Sequence, residues 1–139
     1  MTLAGGLSKV GFVAWFAKWV AGLLTGVAPT EALVVLVAVF FLLHYMFASV
    51  TAHVTALLPV FLAAGMAVPG LPLQPYALLL LVSLGIMGII SPYGTGPSPV
   101  YYGSGYIPSG DFWRLGGIFG AIFLATLLVI GAPYLLATQ

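Results

Sequence analysis

The chain has 139 residues, 63% hydrophobic and 4% charged, with three basic and two acidic side chains and a formal net charge of +1. Soluble domains are roughly one-quarter charged, so this composition and its strongly positive mean hydropathy place the chain in lipid or against protein that is itself in lipid. A charge so near zero leaves no basic field for nucleic acid and no acidic run for a polycation or Ca²⁺, and the lack of cysteine removes disulfides and thiolate chemistry.

Residues 1–28 open with Met1 to Lys9, which lack the basic start, apolar stretch and small-residue cleavage site of a removable signal peptide. Gly11 to Leu24 reads GFVAWFAKWVAGLL. Its two tryptophans and Lys18 suit an interfacial helix at headgroup level; the end of a spanning helix is the alternative.

Residues 29–70 read as a helical hairpin with a polar tip. Pro29-Thr30-Glu31 suits a helix start, with the carboxylate in the first turn near the positive dipole end. From Thr30 to Ala48 such a helix covers about 28 Å, enough to span or to form one arm of a re-entrant hairpin. Ser49-Val50-Thr51-Ala52-His53-Val54-Thr55 is a polar island without Gly or Pro, after which apolar helix resumes until a turn at Val68 to Pro72. At membrane depth such an island must line protein or a cavity.

Residues 71–108 read as a second spanning helix, interrupted at 91–99. Gln74 to Ile90 is leucine-rich and meets SPYGTGPSP, where Pro92, Pro97 and Pro99 remove donors and Gly94 and Gly96 loosen the backbone. Residues 109–139 form the terminal helix, expected from Phe112 to about Leu136, with Asp111 near its positive end.

The two interruptions carry the functional content. Broken helices let a transporter aim free helix ends, hydroxyls and backbone N–H groups at a carboxylate; Ser/Thr back-bonding and Pro/Gly kinks are the plain structural alternative. His44 and His53 stand nine positions apart, which turns them to opposite faces of a continuous helix, and neither has an HxxxH or acidic partner, so no metal site and no cofactor are expected. His53 is read as a titratable or cationic group beside the Ser49 and Thr51 hydroxyls, and His44 as a residue that packs or hydrogen-bonds. Tyr93, Tyr101, Tyr102 and Tyr106 read as packing and interface residues. Two carboxylates at the chain's extremities assemble no nucleophile, base and orienting acid, so the chain does not read as an enzyme.

Ser49 to Val60, SVTAHVTALLPV, resembles the hairpin-tip signature of the divalent anion/sodium symporter family, whose sodium-coupled members carry Ser-Asn-Thr followed by an apolar stretch. Thr95 to Gly105, TGPSPVYYGSG, is similar to that family's broken-helix signature, in which an Asn usually follows the proline. Within the family the likeness is to its bacterial citrate/succinate and tartrate/succinate antiporters and plastid 2-oxoglutarate/malate translocators. The resemblance implies the carboxyl-terminal part of an all-α, inverted-repeat, elevator-type transporter, usually homodimeric, lodged in a bacterial inner membrane and lacking its amino-terminal part here. It implies a small di- or tricarboxylate gripped by Ser49 and Thr51, and the expected substrate site comprises Ser49, Val50, Thr51, His53, Thr95, Gly96, Pro97 and Ser98. Val50 and Ser98 stand where the signatures carry Asn, which removes two oxygen ligands suited to Na⁺ and implies Na⁺-independent exchange. A Na⁺-coupled symporter and a non-transporting membrane subunit are the alternatives.

Overall fold

The computed structural model describes residues 10–138; Met1 to Lys9, with the signal-peptide reading above, and residue 139 lie outside the described residues. The described chain is all-helical. Its elements are α1 (Phe12–Leu23), α2 (Pro29–Leu43) running into a 3₁₀ turn His44–Met46, α3 (Val50–Met66), and α4 (Leu73–Ile86) running into a second 3₁₀ turn, Met87–Ile90. After a short α5 (Ser98–Gly103) come α6 (Ser109–Thr126) and α7 (Ala132–Ala137), joined without a break by a π-helical turn at Leu127–Gly131. Three stretches, Pro29–Met46, Leu73–Ile90 and Ser109–Ala137, are long and apolar enough to cross a bilayer, whereas Val50–Met66 is shorter.

Pro29 opens α2 where its missing N–H costs nothing, and Glu31 sits in the first turn. The residues of α2 at helical spacing, Leu33, Leu36, Val37, Phe40, Phe41 and then His44, are buried, while Val34, Val35, Val39 and Leu42 on the other face are exposed. Both faces are apolar. Such a helix has no hydropathy stripe, because its outward face meets lipid rather than water. The core it joins contains Phe61 and Ala64 of α3 and Tyr76, Leu79 and Leu80 of α4.

Close approach between helices is set by small residues. A Cβ on Gly65 of α3 would run into the Tyr76 ring, and the Tyr76 hydroxyl donates to the Phe61 carbonyl at 2.7 Å, one turn earlier on the same helix. On α6, Gly116 and Gly120 form a Gly-x-x-x-Gly step against the 3₁₀ turn that ends α4. A Cβ at Gly116 would lie 2.9 Å from the Ile89 carbonyl oxygen, and one at Gly120 would strike Ile90 Cγ2. Buried Ser83 is satisfied inside its own helix, donating to the Leu79 carbonyl at 2.8 Å.

Helix α1 lays Ala17 and Val20 inward and packs chiefly on α3, with Phe16 touching Phe61 at a ring separation of 6.3 Å. Trp15 and Trp19 stack on each other at 6.4 Å on its exposed side, where Lys18 also lies. The π turn precedes Pro133, whose ring nitrogen has no hydrogen to give, so the wider turn absorbs a missing helical bond.

Gly116→Val is expected to force α6 off the α4 terminus and destabilise the protein by about 1–3 kcal/mol. Tyr76→Phe, which removes one buried hydrogen bond, is expected to cost about 1 kcal/mol. Thermal unfolding of the full-length protein in detergent, followed by size-exclusion chromatography, measures both.

Candidate functional site

Both helix interruptions are built from local rules. The first opens where Phe47 turns extended (φ −119°, ψ 134°) and ends at Ser49, also extended (φ −160°, ψ 149°). Ser49 is the N-cap of α3: its hydroxyl oxygen accepts from the Ala52 amide at 3.1 Å and its carbonyl accepts from the His53 amide at 3.1 Å. The amides of Val50 and Thr51 are first-turn donors that face out of the helix end. Thr51 is exposed, and its carbonyl accepts from the Thr55 hydroxyl at 2.7 Å; Val50 is half-buried and packs against the core.

The second interruption begins at Ser91 (φ −145°, ψ 153°). The Gly94 amide donates to the Ser91 carbonyl at 3.3 Å, and the Pro97 carbonyl accepts from the Val100 and Tyr101 amides at 3.1 and 3.2 Å, so α5 starts at Ser98. Thr95 and Ser98 share a hydroxyl–hydroxyl hydrogen bond of 2.6 Å. Gly96 and Pro97 are exposed, and Thr95 and Ser98 are half-buried. Gly88 is needed here, since a Cβ on it would meet Thr95 Cγ2.

The two breaks are stitched together. His44 Nε2 lies 3.0 Å from the Gly94 carbonyl oxygen in a buried contact, and since a carbonyl can only accept, this nitrogen donates. The Tyr93 hydroxyl donates to the Tyr45 carbonyl at 3.0 Å. Tyr45, Tyr93 and Trp113 of α6 close a triangle of rings with separations of 6.3, 5.6 and 6.0 Å. Among the described residues no hydrogen bond joins Ser49 or Thr51 directly to Thr95 or Ser98. Each pair is carried on its own break, and His44, Tyr45 and Tyr93 make the hydrogen bonds that link the breaks.

The histidines depart from the sequence expectation. Nine residues of unbroken helix would separate the rings; the extended backbone at Phe47 to Ser49 folds α3 back, and the two imidazoles meet at 5.2 Å, both fully buried. The buried His53 ring makes no hydrogen bond to the Ser49 or Thr51 hydroxyl. Its ring is enclosed by Phe40 at 4.5 Å, Phe47 at 4.9 Å and His44. His44 Nδ1, both ring nitrogens of His53 and Ser91 Oγ are buried without a hydrogen-bond partner. Among the described residues no group of three or more His, Asp or Glu side chains could hold a metal ion.

A cavity of about 210 Å³ lies behind Ser98, between Ile89, Ile107, Phe112 and Phe119. Its walls are almost wholly apolar and do not suit a dicarboxylate. The outward-facing ends of the two breaks, with Ser49, Thr51, Thr95 and Ser98, are the better candidate. Sequence reasoning placed Gly94 in the second interruption without its contact to His44, and it missed Tyr45 and Trp113 as parts of this region.

A helical membrane chain in which two broken helices are tied together through a buried hydrogen bond has the kind of discontinuous helices that secondary transporters use. Comparison with known proteins agrees. Residues 1–137 match the family described as the sodium:sulfate symporter transmembrane region. The L-tartrate/succinate antiporter of Escherichia coli (strain K12) is 51% identical over 131 residues, which cover 94% of this chain and 27% of that protein. The L-tartrate/succinate antiporters of Shigella flexneri and of Escherichia coli O6:K15:H31 match over the same extent. The chain is therefore an integral membrane protein of the sodium:sulfate symporter family, the divalent anion/sodium symporters to which its two motifs pointed. It spans 27% of the length of these relatives.

Ser49→Ala removes the α3 cap and is expected to destabilise the protein by about 1 kcal/mol, whereas Ser49→Asp keeps an accepting oxygen at the N-cap and restores stability. Thermal unfolding of the two variants beside the parent protein reads the difference.

Proposed function

We propose that this chain is the carboxyl-terminal part of a bacterial inner-membrane transporter that exchanges one small dicarboxylate for another without Na⁺. In this reading residues 29–70 form a re-entrant hairpin with its tip at 49–55, residues 71–108 a spanning helix broken at 91–99, and residues 109–139 the last span. The missing amino-terminal part supplies the inverted half of the site, and the intact protein is a homodimer working by an elevator motion.

The observation that carries the proposal is the stitched pair of interruptions. Ser49 and Thr51 at the start of a helix, and Thr95 and Ser98 on the facing break, present hydroxyls and first-turn amides, which are the donors a carboxylate accepts from. An anion held there also meets the positive end of the α3 dipole. The 51% identity to proteins named L-tartrate/succinate antiporters supports a C4 dicarboxylate and exchange. Val50 and Ser98, in place of Asn, leave fewer oxygen ligands for a hard cation and support independence from Na⁺.

One observation favours a second reading. The matching family is described by sodium and sulfate, and a Na⁺-coupled symporter is its natural counterpart.

The full-length transporter in proteoliposomes is expected to take up labelled succinate only when unlabelled succinate or tartrate is inside, with the same rate in Na⁺ and in choline. Uptake into dicarboxylate-free vesicles driven by a Na⁺ gradient overturns exchange in favour of symport. Ser49→Asp, which keeps the cap but adds a negative charge where the carboxylate binds, is expected to lower succinate binding by more than tenfold while leaving the melting temperature near that of the parent. A Ser49→Asp protein that binds succinate normally places the substrate elsewhere.

A further inference from the structure

His44 has no part in the donor set just described, yet it is the buried side chain that links the two breaks. Its Nε2–H reaches the Gly94 carbonyl across 50 positions of sequence, in a fully buried contact of 3.0 Å. The fit around that carbonyl is tight. A Cβ on Gly94 would lie 2.7 Å from the Gly88 carbonyl oxygen, 2.9 Å from His44 Nε2 and 3.0 Å from Ser91 Oγ, so only glycine allows the contact. The same ring packs at 5.2 Å on that of His53, the residue whose amide is bonded to the Ser49 carbonyl. A continuous path thus runs from Gly94, next to Thr95, through the two imidazoles to the Ser49 cap.

We infer that His44 is a positioning residue, which holds the Thr95–Ser98 break at a set distance from the Ser49–Thr51 break so that hydroxyls from both reach one dicarboxylate. The inference rests on the reading of those hydroxyls as the carboxylate donors. The second link between the breaks, Tyr93 to Tyr45, lies at the surface, where the bond competes with solvent or lipid headgroups. His44 is the buried one. Loss of its donor leaves the Gly94 carbonyl unpaired in an apolar interior and frees the break to shift, because Gly94, Gly96 and the flanking prolines form no helical ladder of their own. The ring packing against His53 can survive in a phenylalanine; the hydrogen bond cannot.

The test uses the full-length transporter in proteoliposomes and compares His44→Phe, which keeps ring volume without a donor, with His44→Gln, whose amide can donate to the same carbonyl. His44→Phe is expected to raise the KM for succinate about tenfold, the size of one lost buried hydrogen bond, with maximal rate changed less than about twofold. His44→Gln is expected to stay within about threefold of the parent KM. A KM unmoved by His44→Phe, or equal impairment in both variants with matching loss of folded protein, overturns the positioning role and leaves His44 a packing residue. Spin labels on a Thr51→Cys, Thr95→Cys pair in a cysteine-free background give a readout that needs no transport: the distance distribution is expected to broaden in His44→Phe and not in His44→Gln. An unchanged distribution in His44→Phe also overturns the inference. Failure of the parent protein to exchange dicarboxylates defeats the proposed function instead, while the label distances still test whether His44 sets the spacing of the breaks.

Discussion

The buried hydrogen bond from His44 to the Gly94 carbonyl is the contact on which the arrangement of this chain depends. Non-helical backbone within an apolar bundle has no water to turn to, and each unpaired carbonyl there costs several kcal/mol, on the order of a whole domain's margin of stability. Two such segments in one short chain are tolerable only if they satisfy themselves or each other. The first break satisfies itself through the Ser49 cap, and the second borrows a donor from the helix that precedes the first.

The rest of the bundle is arranged to keep that contact in register. Gly94 lets the second break pack against His44 at the end of α2, and Gly88 lets Thr95 of that break fold back on the end of α4; Gly116 and Gly120 let α6 close over the Ile89–Ile90 backbone; the Tyr45–Tyr93–Trp113 rings tie α6 to both breaks. These are steric permissions and dispersion contacts rather than charge effects. Asp111 and Arg114 are exposed at the start of α6, and Glu31 is exposed at the start of α2. Specificity of packing in a lipid-facing protein has to come from shape, since apolar surface gains little by leaving lipid for protein.

Much of this was legible in the residues, for physical reasons that differ by element. Pro29 with Glu31, the Pro/Gly cluster at 91–99 and the serine at 49 act locally, through missing donors, forced φ angles and a side-chain cap, so each signals its boundary without help from the fold. Which face of a helix is buried was not legible. In α2 the lipid-facing Val34, Val35 and Val39 are as apolar as the core-facing Leu33, Val37 and Phe40. The histidine pair shows the same limit from the other side. A nine-residue separation counted along an unbroken helix puts the rings apart, and only the extended backbone at Phe47 and Ser49 brings them to 5.2 Å.

By itself, then, the sequence determined that this chain lives in a membrane, that proline and glycine interrupt its helix at 91–99, and which family its two motifs belong to, because composition and proline chemistry are properties of single residues and their near neighbours. The tertiary structure alone decided that His44 bonds to Gly94, that His53 is enclosed by Phe40 and Phe47, and that Gly116 and Gly120 seat α6 on the 3₁₀ turn that ends α4. Those pairings join residues far apart along the chain. They follow from how helices with uniformly apolar surfaces interlock, which no local pattern records.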